Sequence, residues 1–86
     1  MDLERFLDAD KKVKVWPGKK LMKEAALEYV ATKFEVGKEY NEKEINKIIN
    51  EWHTFGDYFI LRRGMIDMKL LKRTKDGAKY WRNSGE

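Results

Sequence analysis

Few side chains of this protein could make or break bonds. It holds one histidine, His53, one serine, Ser84, and no cysteine. A Ser–His or Cys–His nucleophilic pair is therefore essentially excluded, because the nucleophile has no neighbouring base to activate it. His53 and Asp57 stand four apart, but a turn is expected between them and a metal would need more ligands than these two. His53 is expected instead to be a turn residue with a local hydrogen bond. The six glycines are scattered singly, so no phosphate-cradling loop can be drawn. No pair of carboxylates sits in a recognisable apolar setting of the kind that splits their acidities. These absences point away from an enzyme and name no cofactor and no metal. No small-molecule substrate is evident.

The chemistry that remains is that of charge. From Arg62 to Arg82 there are eight Lys/Arg against two Asp, a net of +6, while the rest sums to −2 for a total of +4. A basic segment of this kind is the usual footprint of a phosphate-binding surface. Its candidate nucleic-acid-binding residues are Arg63, Lys72, Arg73, Lys75, Lys79 and Arg82. Beside them stand two apolar residues, Phe59 and Ile60, that suit a protein contact instead.

Three helices and a hairpin must position these groups. The first helix is predicted from about Lys19 to Phe34. Met22, Ala26, Val30 and Phe34 recur every four residues there, and Gly37 supplies a stop. The second opens at Asn41, with Glu44 three residues on as a capping-box partner. Ile45, Ile48, Ile49 and Trp52 then define its buried face. The third is predicted from about Asp57 to Asp67, with Tyr58, Leu61 and Met65 inward and Ile60, Arg63 and Asp67 outward. Arg62 lies at the edge of the inner face, where a carboxylate partner is expected. Gly64 lowers helix stability by ~1 kcal/mol relative to Ala, which suggests a packing reason for it. Leu70-Leu71-Lys72-Arg73 and Ala78-Lys79-Tyr80-Trp81-Arg82 flank an Asp76-Gly77 turn. In the second run Lys79 and Trp81 share one face and Tyr80 and Arg82 the other, so one aromatic is expected in the core. The other could stack on an unpaired base. Val13-Lys14-Val15-Trp16 alternates like a short strand, after a helical turn within 2–7 and a turn over 8–12.

The expected fold class is α+β: a winged helix-turn-helix with a three-helix core and a small antiparallel sheet that includes a C-terminal hairpin wing. Residues 1–18 form an N-terminal extension packed on the domain, 19–82 the domain and 83–86 a tail. Eighty-six residues suffice for one domain. Hydrophobic content of 42% allows a modest core, and a mean hydropathy of −0.79 suits a soluble chain. No apolar run approaches the ~18 residues of a membrane span. The start lacks the apolar stretch of a signal peptide. No membrane partner and a cytoplasmic location are the expectations.

The pattern Glu39-Tyr40-Asn41-Glu42-Lys43-Glu44-Ile45-Asn46, with Trp52-His53, Leu61-Arg62-Arg63, Leu71-Lys72-Arg73, Asp76-Gly77 and Tyr80-Trp81-Arg82, resembles a bacterial domain of unknown function, number two-zero-eight-seven. Arg5-Phe6-Leu7-Asp8 and Trp16-Pro17 fit it too, so the likeness spans about 5–82. The resemblance implies a domain found alone or behind the DNA-binding domain of bacterial transcription regulators. It implies a role in transcription and supplies no activity.

Two functions fit these readings. The first is a DNA-binding regulatory domain that presents the third helix and the basic hairpin to double-stranded DNA. The second is a protein-interaction or dimerisation module, with a partner protein or a second copy covering Phe59 and Ile60.

Overall fold

The computed structural model describes residues 3–83; Met1, Asp2, Ser84 and all of the expected tail beyond Asn83 lie outside them. A 3-10 turn at Leu3–Phe6 is followed by α1 (Lys20–Ala31), β1 (Glu39–Tyr40), α2 (Glu42–Glu51), α3 (Tyr58–Asp67), β2 (Leu71–Arg73) and β3 (Tyr80–Arg82). The strands form one antiparallel sheet in the order β1-β3-β2. The short strand between α1 and α2 thus pairs with the last strand, and the hairpin adds the third. This is an α+β fold compatible with a winged helix-turn-helix.

Two of the three helices begin at a side-chain cap. Asn41 caps α2 with a reciprocal pair of bonds. The Glu44 N–H donates to Asn41 Oδ1 at 2.8 Å, and the Asn41 N–H donates to Glu44 Oε1 at 2.9 Å. Asp57 caps α3 more loosely, accepting from the Ile60 N–H at 3.2 Å. Lys19 caps α1 with no side-chain bond. The core gathers Ala26, Leu27, Val30 and Phe34 from α1 and its exit, Ile45 and Ile49 from α2, Leu61 and Met65 from α3, and Tyr40, Leu71 and Tyr80 from the sheet. Gly64 lets α1 and α3 approach: a Cβ there would stand 2.8 Å from Leu27 Cδ1.

Several expectations are corrected. α1 ends at Ala31, and 32–34 form a turn that still buries Phe34. Val13–Trp16 is not a strand. Val13 alone makes isolated bridges to Leu7 and His53 and is fully buried, while Val15 is exposed. Trp52 lies past the end of α2, at φ −115°, where the helical phase no longer applies, and is half-buried rather than core. Its ring meets Tyr29 edge-on at 6.3 Å and carries the Lys33 ammonium 4.0 Å from its centre. Tyr58, at the first turn of α3, is exposed rather than inward.

Candidate nucleic-acid interface

Adjacent arginines on α3 have different work. Arg62 reaches back to α2, donating from one guanidinium nitrogen to Glu42 Oε1 and Asn46 Oδ1, both at 2.9 Å. Its side chain is only 15% exposed, so this pair braces α3 against α2. The Tyr58 and Phe59 rings each lie 5.5 Å from the same guanidinium. Arg63 is 70% exposed, and its Nε is 3.8 Å from Asp67 Oδ2 one turn on. An exposed pair of this kind contributes little and yields to a competing anion. Phe59 is half-exposed. Ile60, expected to stand outward, is half-buried against the core and flanks a shallow depression with Trp16 and Gly64.

The hairpin connection is longer than a tight two-residue turn. The Thr74 N–H donates to the Lys79 carbonyl at 2.9 Å, which closes a loop over 75–78. Inside it the Gly77 N–H donates to the Thr74 carbonyl at 3.0 Å, and Gly77 takes φ +74°, a left-handed conformation that favours glycine. Asp76 Oδ1 accepts from the Thr74 hydroxyl at 2.7 Å and the Ala78 N–H at 3.0 Å. The Thr74 hydroxyl, and then the Ala78 N–H, hold the Asp76 carboxyl below its ordinary value.

Strand register splits the basic residues between two faces. Arg73 pairs with Tyr80, and Tyr80 with Tyr40, so all three face inward toward the core side. Lys72 pairs with Trp81, and Trp81 with Glu39, on the opposite face. Lys79 joins that outer face, its ammonium 3.2 Å from Glu39 Oε1. Arg82 turns inward and donates to the Phe34 carbonyl at 3.2 Å. Of the aromatic pair, Tyr80 is the core residue and Trp81 is half-buried on the outer face.

A cleft of about 400 Å³ opens between α3 and the hairpin, lined by Glu42, Phe59, Arg62, Arg63, Ile66, Asp67, Arg73 and Tyr80. Of the six expected contact residues, it brings together Arg63 and Arg73. Lys75 is exposed in the loop, Lys72 and Lys79 lie across the sheet, and Arg82 serves the fold. Of the cleft's other walls, Asp67 is expected from sequence only to stand outward on the third helix and Tyr80 only to be a core or stacking aromatic. Only the pairing of Arg73 with Tyr80 places them beside the arginines, and register is not visible in a single strand.

His53 is a buried joint. The Asp57 N–H can only donate, so Nε2 accepts it at 3.0 Å, and Nδ1 carries the proton donated to the Ile49 carbonyl at 2.8 Å. Both ring nitrogens thus fix the turn between α2 and α3.

Among the described residues no helix is long and apolar enough to cross a membrane. A family profile, DUF2087, described as an uncharacterized protein conserved in bacteria, matches residues 12–82. Neither a curated protein nor a solved structure matches.

Proposed function

For a chain that belongs to DUF2087, a family conserved in bacteria, we propose a non-enzymatic role as a DNA-docking domain of transcription regulation. The observation that carries this reading is the shared cleft: α3 supplies Arg63 and the hairpin supplies Arg73 to one concave surface. In a winged helix a helix enters a groove while the hairpin follows the backbone, so cations from both elements must converge on one duplex. Lys75, exposed in the hairpin loop, adds a further cation beside that surface.

Titration of a labelled duplex with the protein, at rising salt, tests the proposal. A surface that neutralises about three phosphates should lose roughly 40-fold in affinity between about 50 and 200 mM salt. No binding near 50 mM salt ends the reading.

A second reading has its own support. Phe59 is 52% exposed on the outer side of α3, next to the depression flanked by Trp16 and Ile60. A partner protein or a second copy could cover it. Sedimentation of wild type against Phe59→Ser, each with no DNA present, separates the two: a stable dimer lost on substitution favours the interaction module.

A further inference from the structure

Tyr80 is only 4% exposed as a residue, but its hydroxyl makes no hydrogen bond within the described residues and is not buried there, so it opens to solvent. A phenol hydroxyl that meets water and no protein acceptor is free to donate to a ligand. Tyr80 lines the cleft between α3 and the hairpin, and its cross-strand neighbour there is Arg73. The two polar ends converge at the hairpin loop. A Cβ on Gly77 would stand 3.5 Å from an Arg73 guanidinium nitrogen and 4.0 Å from the Tyr80 hydroxyl. Arg73 has no carboxylate partner among the described residues. The other cations of the cleft are engaged, Arg62 by Glu42 and Arg63 by Asp67.

We propose that Arg73 and Tyr80 form a clamp for one phosphate group, the guanidinium donating to one oxygen edge and the hydroxyl to another. Guanidinium donors match phosphate oxygens in a planar fork, and an added O–H fixes where along the backbone the contact falls. Resting on the DNA reading, the clamp takes a single backbone phosphate and sets the register of the hairpin on the duplex. The same chemistry would accept free phosphate, so the test separates the two sources.

The test replaces duplex phosphates one at a time by neutral methylphosphonate and measures binding by wild type, Tyr80→Phe and Arg73→Lys. Tyr80→Phe keeps the ring and removes a hydroxyl with no internal partner, so circular dichroism and melting should match wild type. With wild type, one position should stand out. There Tyr80→Phe should weaken binding to the native duplex about fivefold, the scale of one hydrogen bond, and the neutral substitution should then cost the variant less than it costs wild type, because only the Arg73 contact is left to lose. If both variants retain the wild-type position profile, the clamp is overturned while the DNA reading survives. A parallel arm titrates inorganic phosphate and follows the Arg73 Nε–H resonance. Phosphate binding lost in Tyr80→Phe, with no duplex binding, supports the clamp with free phosphate as its ligand and overturns the DNA reading. No response in either arm overturns both.

Discussion

The helices α2 and α3 each span 10 residues, each carries a side-chain N-cap, and each buries two residues completely. Their outer faces differ. Outside Ile45, Ile48 and Ile49, α2 presents Glu42, Lys43, Asn46, Lys47, Asn50 and Glu51. α3 presents Phe59, Arg63 and Asp67, with half-buried Ile60 and Ile66 at its margins. A helix with a wholly polar outer face has nothing further to bury. A helix that mixes an exposed aromatic ring with a weakly held arginine has contacts left to make. On the proposed reading, α2 serves stability and α3 serves both stability and recognition.

The inner faces should behave alike. Ile49→Ala and Leu61→Ala each remove a fully buried side chain, and each should lower stability by ~2–5 kcal/mol in urea unfolding. A Leu61→Ala variant with an unchanged midpoint would mean that α3 does not share the core, and the comparison would break.

Trp52 should matter less than a core tryptophan. Trp52→Ala loses the Tyr29 edge contact and the Lys33 ammonium over its ring, for about 1–2 kcal/mol in the same assay. A loss of ~4 kcal/mol would signal the full burial of a core aromatic.

The caps come next. Asn41→Ala removes the acceptor of the Glu44 N–H, leaving only the backbone Asn41 N–H to Glu44, and should cost ~1 kcal/mol. Asp57→Ala removes one longer bond and should cost less in the same unfolding series. The reverse order would place the firmer start on α3.

The outer faces should then separate. Phe59→Ala should change stability by no more than ~0.5 kcal/mol, as exposed positions do, yet weaken whatever α3 binds. Equal losses in urea unfolding and in duplex binding would make Phe59 part of the core.

The smallest effect is that of pH on the hairpin loop. Asp76 has a carboxyl held low by Thr74 and Ala78. Its contribution is therefore present above the unfolded carboxyl value and is lost as pH falls through the lower, folded one. The Thr74 and Ala78 amide resonances should move together below the ordinary carboxylate range, and Asp76→Asn should abolish that titration. Flat resonances in the wild type would remove the carboxylate from the loop's support.

These differences show where sequence reading succeeds. The α2 start was legible because a capping box is a local signal, with both partners within one turn. The Leu61 and Met65 face followed from helical period, and the packing reason for Gly64 from its cost in a helix. Period failed at helix ends: it assigned Trp52 and Tyr58 to buried faces just where the backbone leaves or enters the helix. The apparent strand at 13–16 failed because only Val13 finds partners. At the candidate site, alternation separated Tyr80 from Trp81 correctly. It could not show that Arg73 meets α3 while Lys72 and Lys79 face the other way, because that depends on the register between strands. Arg82 looked like any other cation, since its acceptor, the Phe34 carbonyl, is 48 residues distant.

On the proposed reading, the α3–hairpin cleft, rather than the basic hairpin as a whole, docks DNA. Duplex affinity near 100 mM salt should be compared for wild type, Arg63→Glu/Arg73→Glu and Lys72→Glu/Lys79→Glu, which make the same change in net charge on opposite faces of the sheet. The account predicts a loss of about 10²-fold or more for the cleft pair, on the order of two reversed phosphate contacts, and a much smaller loss for the outer pair. Equal losses, or a larger loss for the outer pair, would contradict it.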